Sequence, residues 1–171
     1  DPDCLEGLGV VDGDVATLAR RLHRRKLNVT GNLLSTFRRD EPDVAVHLAA
    51  RSLVADSEQD AVRAYETNVL GTVRTLEMCR RSDTPCIVAS TDKVYGNSAP
   101  PFREKDPLHP VYPYDTAKAC ADMVARSYHA TYGLPVIVTR CCNIYGPGDL
   151  NWSRLFPHTC RAALSGQSPM N

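Results

Sequence analysis

Short, continuous apolar runs alternate along this chain with longer segments whose apolar residues recur every three or four positions. DVAVHLAA (43–50), PCIVAS (85–90) and PVIVTR (135–140) are rich in β-branched residues and predict three buried strands. Between them, Ala61, Tyr65, Val69, Val73 and Leu76 predict a helix within 58–81, and 112–133 predicts another that Gly133 ends. Strands that are apolar throughout and separated by helices belong to a parallel sheet covered on both faces. The expected fold class is therefore α/β, a doubly wound, Rossmann-like parallel sheet.

The flanks are less regular. VVDGDV (10–15) reads as a strand end, followed by a helix from about Ala16 that breaks at NVTGN and resumes over Leu33 to Arg39. GPGD (146–149) predicts a turn, and 152–166 a helix that Pro157 either interrupts or starts. There is no internal repeat.

Composition narrows the function. A chain of 171 residues suits one domain with a real core, and its 20 basic and 20 acidic side chains leave no electrostatic footprint for nucleic acid. The basic run RRLHRRK (20–26) reads as the solvated face of a helix. No apolar run is long enough to span a bilayer, and the first residues lack the pattern of a signal peptide, so no membrane partner is expected. The seven cysteines contain no C-x-x-C pair; we expect free, buried thiols in a reducing, cytoplasmic compartment and no metal site.

In an open α/β sheet, ligands bind beyond the carboxyl ends of the strands. That places His47 to Ser52, Ser90 to Lys93 and Cys141 to Gly146 along one crevice. Tyr114 and Lys118 share a helical face at i, i+4. A lysine ammonium beside a phenol favours the phenolate, so Tyr114 is a candidate general base or acid. Taken alone, the pair is equally a tyrosine packed on a lysine stem. For Asp92 and Lys93 at a strand end, the plain alternative is a solvated pair.

These features occur together and in order. HLAA (47–50), TNVLGT (67–72), VYG (94–96), PYDTAK (113–118) and RCCNIYGPGD (140–149) resemble the extended branch of the short-chain dehydrogenase/reductase superfamily, the NAD-dependent nucleotide-sugar epimerases and dehydratases. Asp92-Lys93 after Thr91, with DLNWSRLFP (149–157) downstream, is similar to the CDP-glucose 4,6-dehydratase group; the more usual dehydratase pair is Asp-Glu.

The resemblance implies NAD as cofactor and a nucleotide-diphosphate hexose as substrate. Tyr114 would take the proton of the sugar 4-hydroxyl, Lys118 would steady the phenolate and hold a ribose, and Thr91 would hydrogen-bond the 4-oxygen. Asp92 would protonate the leaving 6-hydroxyl, and Lys93, once neutral, would take the C5 proton; burial and Lys118 are expected to discharge it, and Asp92 to oppose this. The cofactor contacts implied are Asp14, Val15, Leu48, Ala49, Ala50, Ser90, Tyr114 and Lys118; the substrate contacts are Ser52, Thr91, Asn143 and Arg154. Asp14 is equally a helix N-cap, His47 equally a satisfied core histidine, and Arg154 equally a plain exposed arginine. Asn68 is implied to support the end of the active-site strand. A homodimer through a four-helix interface built on 58–81 and 112–133 is also implied.

GLGVVDG (7–13) has G-x-G, but a strand-like run follows it and not a helix, so it reads as a loop. We therefore expect a partial NAD-binding domain over 1–171 that is a central slice, incomplete at both ends, without the glycine-rich turn or the portion that closes over substrate. RRKLNVTGNLL (24–34) departs from the usual short link at this place. The expected activity is 4,6-dehydration. The alternatives are 4-epimerisation, which leaves the mass unchanged, or a truncated, non-catalytic ligand-binding remnant.

Overall fold

The computed structural model describes residues 28–29, 34–146 and 148–168. Asp14, Val15 and Cys4, with the strand and helix expected before NVTGN, lie outside the described residues. The described residues fall into two compact units that divide between Cys142 and Asn143.

The larger unit is built on a parallel sheet of β1 (Ala45–His47), β2 (Cys86–Ala89) and β3 (Val136–Thr139), in that spatial order. Ala45 stands opposite Cys86, and Cys86 opposite Val136. All three expected strands form, each shorter than its apolar run. The helices are α1 (Leu34–Asp40), α2 (Val54–Gln59), α3 (Ala61–Tyr65), α4 (Gly71–Arg81) and α5 (Pro113–Tyr132), with a π turn at Glu66–Leu70 joining α3 to α4.

The helix expected over 58–81 is broken at Asp60, whose side chain accepts from the Arg63 N–H and caps α3. Pro113 opens α5, where its missing N–H costs nothing, and Gly133 closes it at φ 70°. Helix α1 matches the segment expected to resume after NVTGN.

Side chains on one sheet face meet α4 and α5. Leu76, Cys79, Cys86, Val88, Ala125 and Leu134 form the buried core there. The expected cover on both faces is not seen among the described residues: on the other side, Val46 and Ile137 are 54% and 63% exposed. A second cluster, Val94, Tyr95 and Ala119, fixes the turn after β2 against α5, with Phe102 stacked on Tyr95.

In the second unit the Asp149 N–H donates to the Gly146 carbonyl, which makes the expected turn. Helix α6 (Leu155–Leu164) carries Pro157 in its first turn, so Pro157 starts the helix and does not interrupt it. Tyr145 stacks on Phe156 at 3.9 Å between ring centres.

The cysteines correct one expectation. Cys79 and Cys86 are buried, but Cys141, Cys142 and Cys160 are exposed, because the first two follow the end of β3 and the third lies on an open side of α6. No described helix is long and apolar enough to cross a membrane, and the described residues hold no group of three potential metal ligands.

Candidate active site

The carboxyl ends of the strands are tied to one another. After β2, the Ser90 N–H donates to the Thr139 carbonyl and the Asp92 N–H to the Cys141 carbonyl. After β1, Asn68 in the π turn accepts from the Arg51 N–H at 2.8 Å and donates to the Arg51 carbonyl at 3.2 Å. One buried amide thus replaces a missing strand neighbour, and a π turn is a frequent device for aiming a functional side chain. Asn68 thus supports the end of β1, whereas the strand expected to gain this support is the one that leads into Thr91, which is β2.

His47 closes β1. Its Nε2 pairs with Thr72 Oγ1 at 3.0 Å, and Thr72 donates onward to the Asn68 carbonyl. Burial and then the charge of Lys118 lower its pKa to about 4, so the ring is neutral at pH 7. The core-histidine account of His47 therefore holds.

Thr91 begins a 3-10 turn over Asp92–Tyr95 and caps it by accepting from the Lys93 N–H. Gly96 ends the turn at φ 60°, where a Cβ would stand 1.8 Å from the His109 carbonyl oxygen. Only glycine fits there.

Tyr114 and Lys118 in α5 are both buried, at 8% and 7% exposure. Lys118 Nζ donates to the Ala89 carbonyl at the end of β2, and burial lowers its pKa. The tyrosine departs from expectation. Its pKa is raised, first by burial and then by the charges of Asp115 and Asp92; a hydrogen bond with Thr91 is the one influence that lowers it. Lys118 is turned onto a backbone carbonyl, and its charge does not offset the burial of the phenol.

Asp92 and Lys93 are the second departure. Three residues complete a 3-10 turn, so neighbouring side chains diverge. Asp92 lines a cavity of about 650 Å³ with Tyr95, Arg140 and Cys142. Lys93 lines another, of about 220 Å³, with Glu58, Asn97, Tyr112 and Asp115. The burial expected around Lys93 is absent: its side chain is exposed.

Other candidates are placed as follows. Leu48, Ala49 and Ser52 are exposed and Ala50 half-buried beyond β1. Asn143 and Arg154 belong to the second unit, where both are exposed and Arg154 pairs with Asp149 at 3.3 Å. Ser90 Oγ is buried without a hydrogen-bond partner.

Sequence reasoning missed a pin beneath the site. Arg140, just past β3, grips the fully buried Asp122 of α5 through two nitrogens at 2.7 and 3.1 Å. It also donates to Tyr95 Oη and to the Glu104 carbonyl, both at 2.8 Å. No local pattern links residues so far apart in sequence. Asp115 was visible in PYDTAK as an acid beside the tyrosine, but periodicity gives it no role.

The profile of the NAD dependent epimerase/dehydratase family matches residues 6–171. The chain belongs to that family. It is 38% identical over 133 residues to a dTDP-glucose 4,6-dehydratase of Haemophilus influenzae, covering 70% of this chain and 38% of that protein. Its fold is similar to the crystal structure of a Streptomyces venezuelae dTDP-glucose 4,6-dehydratase with NAD bound, at TM-score 0.73 and 37% identity over 89% of this chain and 49% of that one. It is also similar to a Thermotoga maritima UDP-glucose 4-epimerase with UDP-glucose, at TM-score 0.80 and 26% identity over 94% and 55% of the two chains. The chain thus spans about half or less of the length of these proteins. Both dehydratases are named for dTDP-glucose, and not for the CDP-glucose expected from Asp92-Lys93.

NAD is this family's cofactor, and residues at the site fit one part of it. Lys118 offers a buried ammonium whose hydrogen bond to Ala89 uses one of three protons, and Ser90, the residue after Ala89, offers a buried hydroxyl without a partner. Such a pair suits the hydroxyls of a ribose.

Proposed function

We propose that this chain carries the catalytic centre of a nucleotide-sugar 4,6-dehydratase. The observation that supports it most is that buried Tyr114 lies close enough to Thr91 and Asp92, at the end of β2, for both to act on its phenol. An alcohol-oxidising tyrosine and an acid for the leaving group are thereby within one electrostatic reach.

Bound NAD supplies the hydride acceptor at C4 and the hydride donor at C6. Thr91 orients the 4-oxygen, and Tyr114 takes the 4-hydroxyl proton. Lys118, released from Ala89, balances the phenolate charge. The ketone at C4 acidifies the C5 proton, which Lys93 accepts. Asp92 protonates the 6-hydroxyl, and water leaves. Within the larger unit, Ser52 is assigned to the substrate, and Leu48, Ala49, Ala50 and Ser90 to the cofactor.

A 4-epimerase is the second reading, favoured by the fold likeness to the Thermotoga enzyme. For the homodimer, support comes from exposed apolar side chains on the helical segments concerned, Val62, Leu70 and Met123.

The test of the site is Tyr114→Phe. With NAD and a nucleotide-glucose, the variant should lose C4 oxidation by about a hundredfold or more. Unimpaired turnover would remove Tyr114 from the mechanism.

A further inference from the structure

Asp115 follows Tyr114 in the first turn of α5 and is only 6% exposed. Its Oδ1 is buried and has no hydrogen-bond partner. Native folds rarely leave a buried carboxyl oxygen unpaired without a use. Asp115 also walls the 220 Å³ cavity that Lys93 lines from the 3-10 turn.

The groups facing Asp115 come from three elements. Lys93 and Asp92 approach from the 3-10 turn, Glu58 from α2, and the Tyr112 backbone from the start of α5. Burial is the largest influence and pushes its carboxyl above the usual range; Asp92 and Glu58 add to this, while Lys93 and the Tyr112 backbone oppose it. Lys93 is the one cation in that set, and its long stem and three donor protons leave it free to turn inward.

We propose that Asp115 is a positioning residue for Lys93: it draws the Lys93 side chain across this cavity toward the first turn of α5, where the free carboxyl oxygen accepts a hydrogen bond from it. The proposal rests on the dehydratase reading for its meaning in catalysis. The pair gives an exposed lysine a fixed place beside the reacting carbon. One ammonium proton of Lys93 passes to solvent, the amine lone pair takes the C5 proton, and the C5–H electrons form the C5–C6 double bond as the C6–O bond breaks. The proton on the departing oxygen comes from Asp92, so water leaves and no oxidant or reductant is needed.

The first arm of the test needs no turnover. The Asp115 carboxyl is titrated by carbon-13 NMR in this chain, in Lys93→Met and in Lys93→Arg. The midpoint should rise in Lys93→Met and stay near the wild-type value in Lys93→Arg. An unchanged midpoint in Lys93→Met overturns the pairing. The second arm compares steps in Asp115→Asn with NAD and a nucleotide-glucose. C4 oxidation, read as reduced-cofactor absorbance, should persist while elimination slows about a hundredfold. Equal loss of both steps would reduce Asp115 to a structural role and overturn the proposal. If the wild-type chain forms no 4-keto product yet the midpoint moves, the dehydratase reading fails and the pairing stands.

Discussion

Asn68 holds Arg51 by both of its backbone groups, accepting from its N–H at 2.8 Å and donating to its carbonyl at 3.2 Å. Asn68 is 1% exposed, so a truncation leaves both backbone groups without their partner in a closed space. Asn68→Ala should destabilise the fold by about 2–3 kcal/mol, the sum of two net hydrogen bonds and a small cavity. Urea unfolding measures this, and a cost near zero would mean that water replaces the amide without loss.

His47 gives the fold an acid limit. Its pKa is about 4 when folded against about 6.5 when unfolded. The unfolded chain binds the proton first, so stability is intact above about pH 6.5 and falls as pH drops toward 4. The loss from this one group is on the order of 3 kcal/mol. Replacing His47 by Gln should flatten that part of the stability curve. A wild-type curve level between pH 6.5 and 4 would contradict the burial of a neutral ring.

Tyr114 should titrate above an ordinary tyrosine, because burial and two carboxylates oppose the phenolate. Thr91→Val removes the influence that lowers the midpoint and should raise it further. Asp92→Asn should lower it. Carbon-13 NMR of the tyrosine ring reads both shifts; a Thr91→Val midpoint at or below wild type would show that the two residues are not hydrogen-bonded in solution.

Arg140 and Asp122 form a buried ion pair at 2.7 Å that joins β3 to α5. Arg140→Met leaves Asp122 with Arg126 at 3.9 Å as its remaining cation among the described residues. The cost should be about 3–5 kcal/mol. Adding Asp122→Leu should cost less than the two changes summed, since neither charge is then stranded. Thermal unfolding of the four proteins closes the cycle, and strict additivity would deny the coupling.

The strands were legible because β-branched, apolar runs have few other uses, and Tyr114 with Lys118 because i, i+4 spacing fixes a shared face. The break at Asp60 was written locally, as an acid three residues before Arg63, but the helical spacing on either side masked it. Sequence adjacency made Asp92 and Lys93 look like one unit, whereas the 3-10 turn sends them to different cavities. The tyrosine's acidity could not be read from Lys118 alone, because it depends on burial and on Asp115, and Lys118 points to Ala89. The Arg140–Asp122 pin depends on how α5 crosses β3 and leaves no trace in either segment.

The dehydratase reading is tested most directly by the mass of the product. The chain is incubated with NAD and either CDP-glucose or dTDP-glucose in deuterated water, and the sugar nucleotide is weighed by mass spectrometry. Loss of one water, with deuterium taken up at C5, is the predicted result. A converted sugar of unchanged mass would contradict it and make the site that of an epimerase.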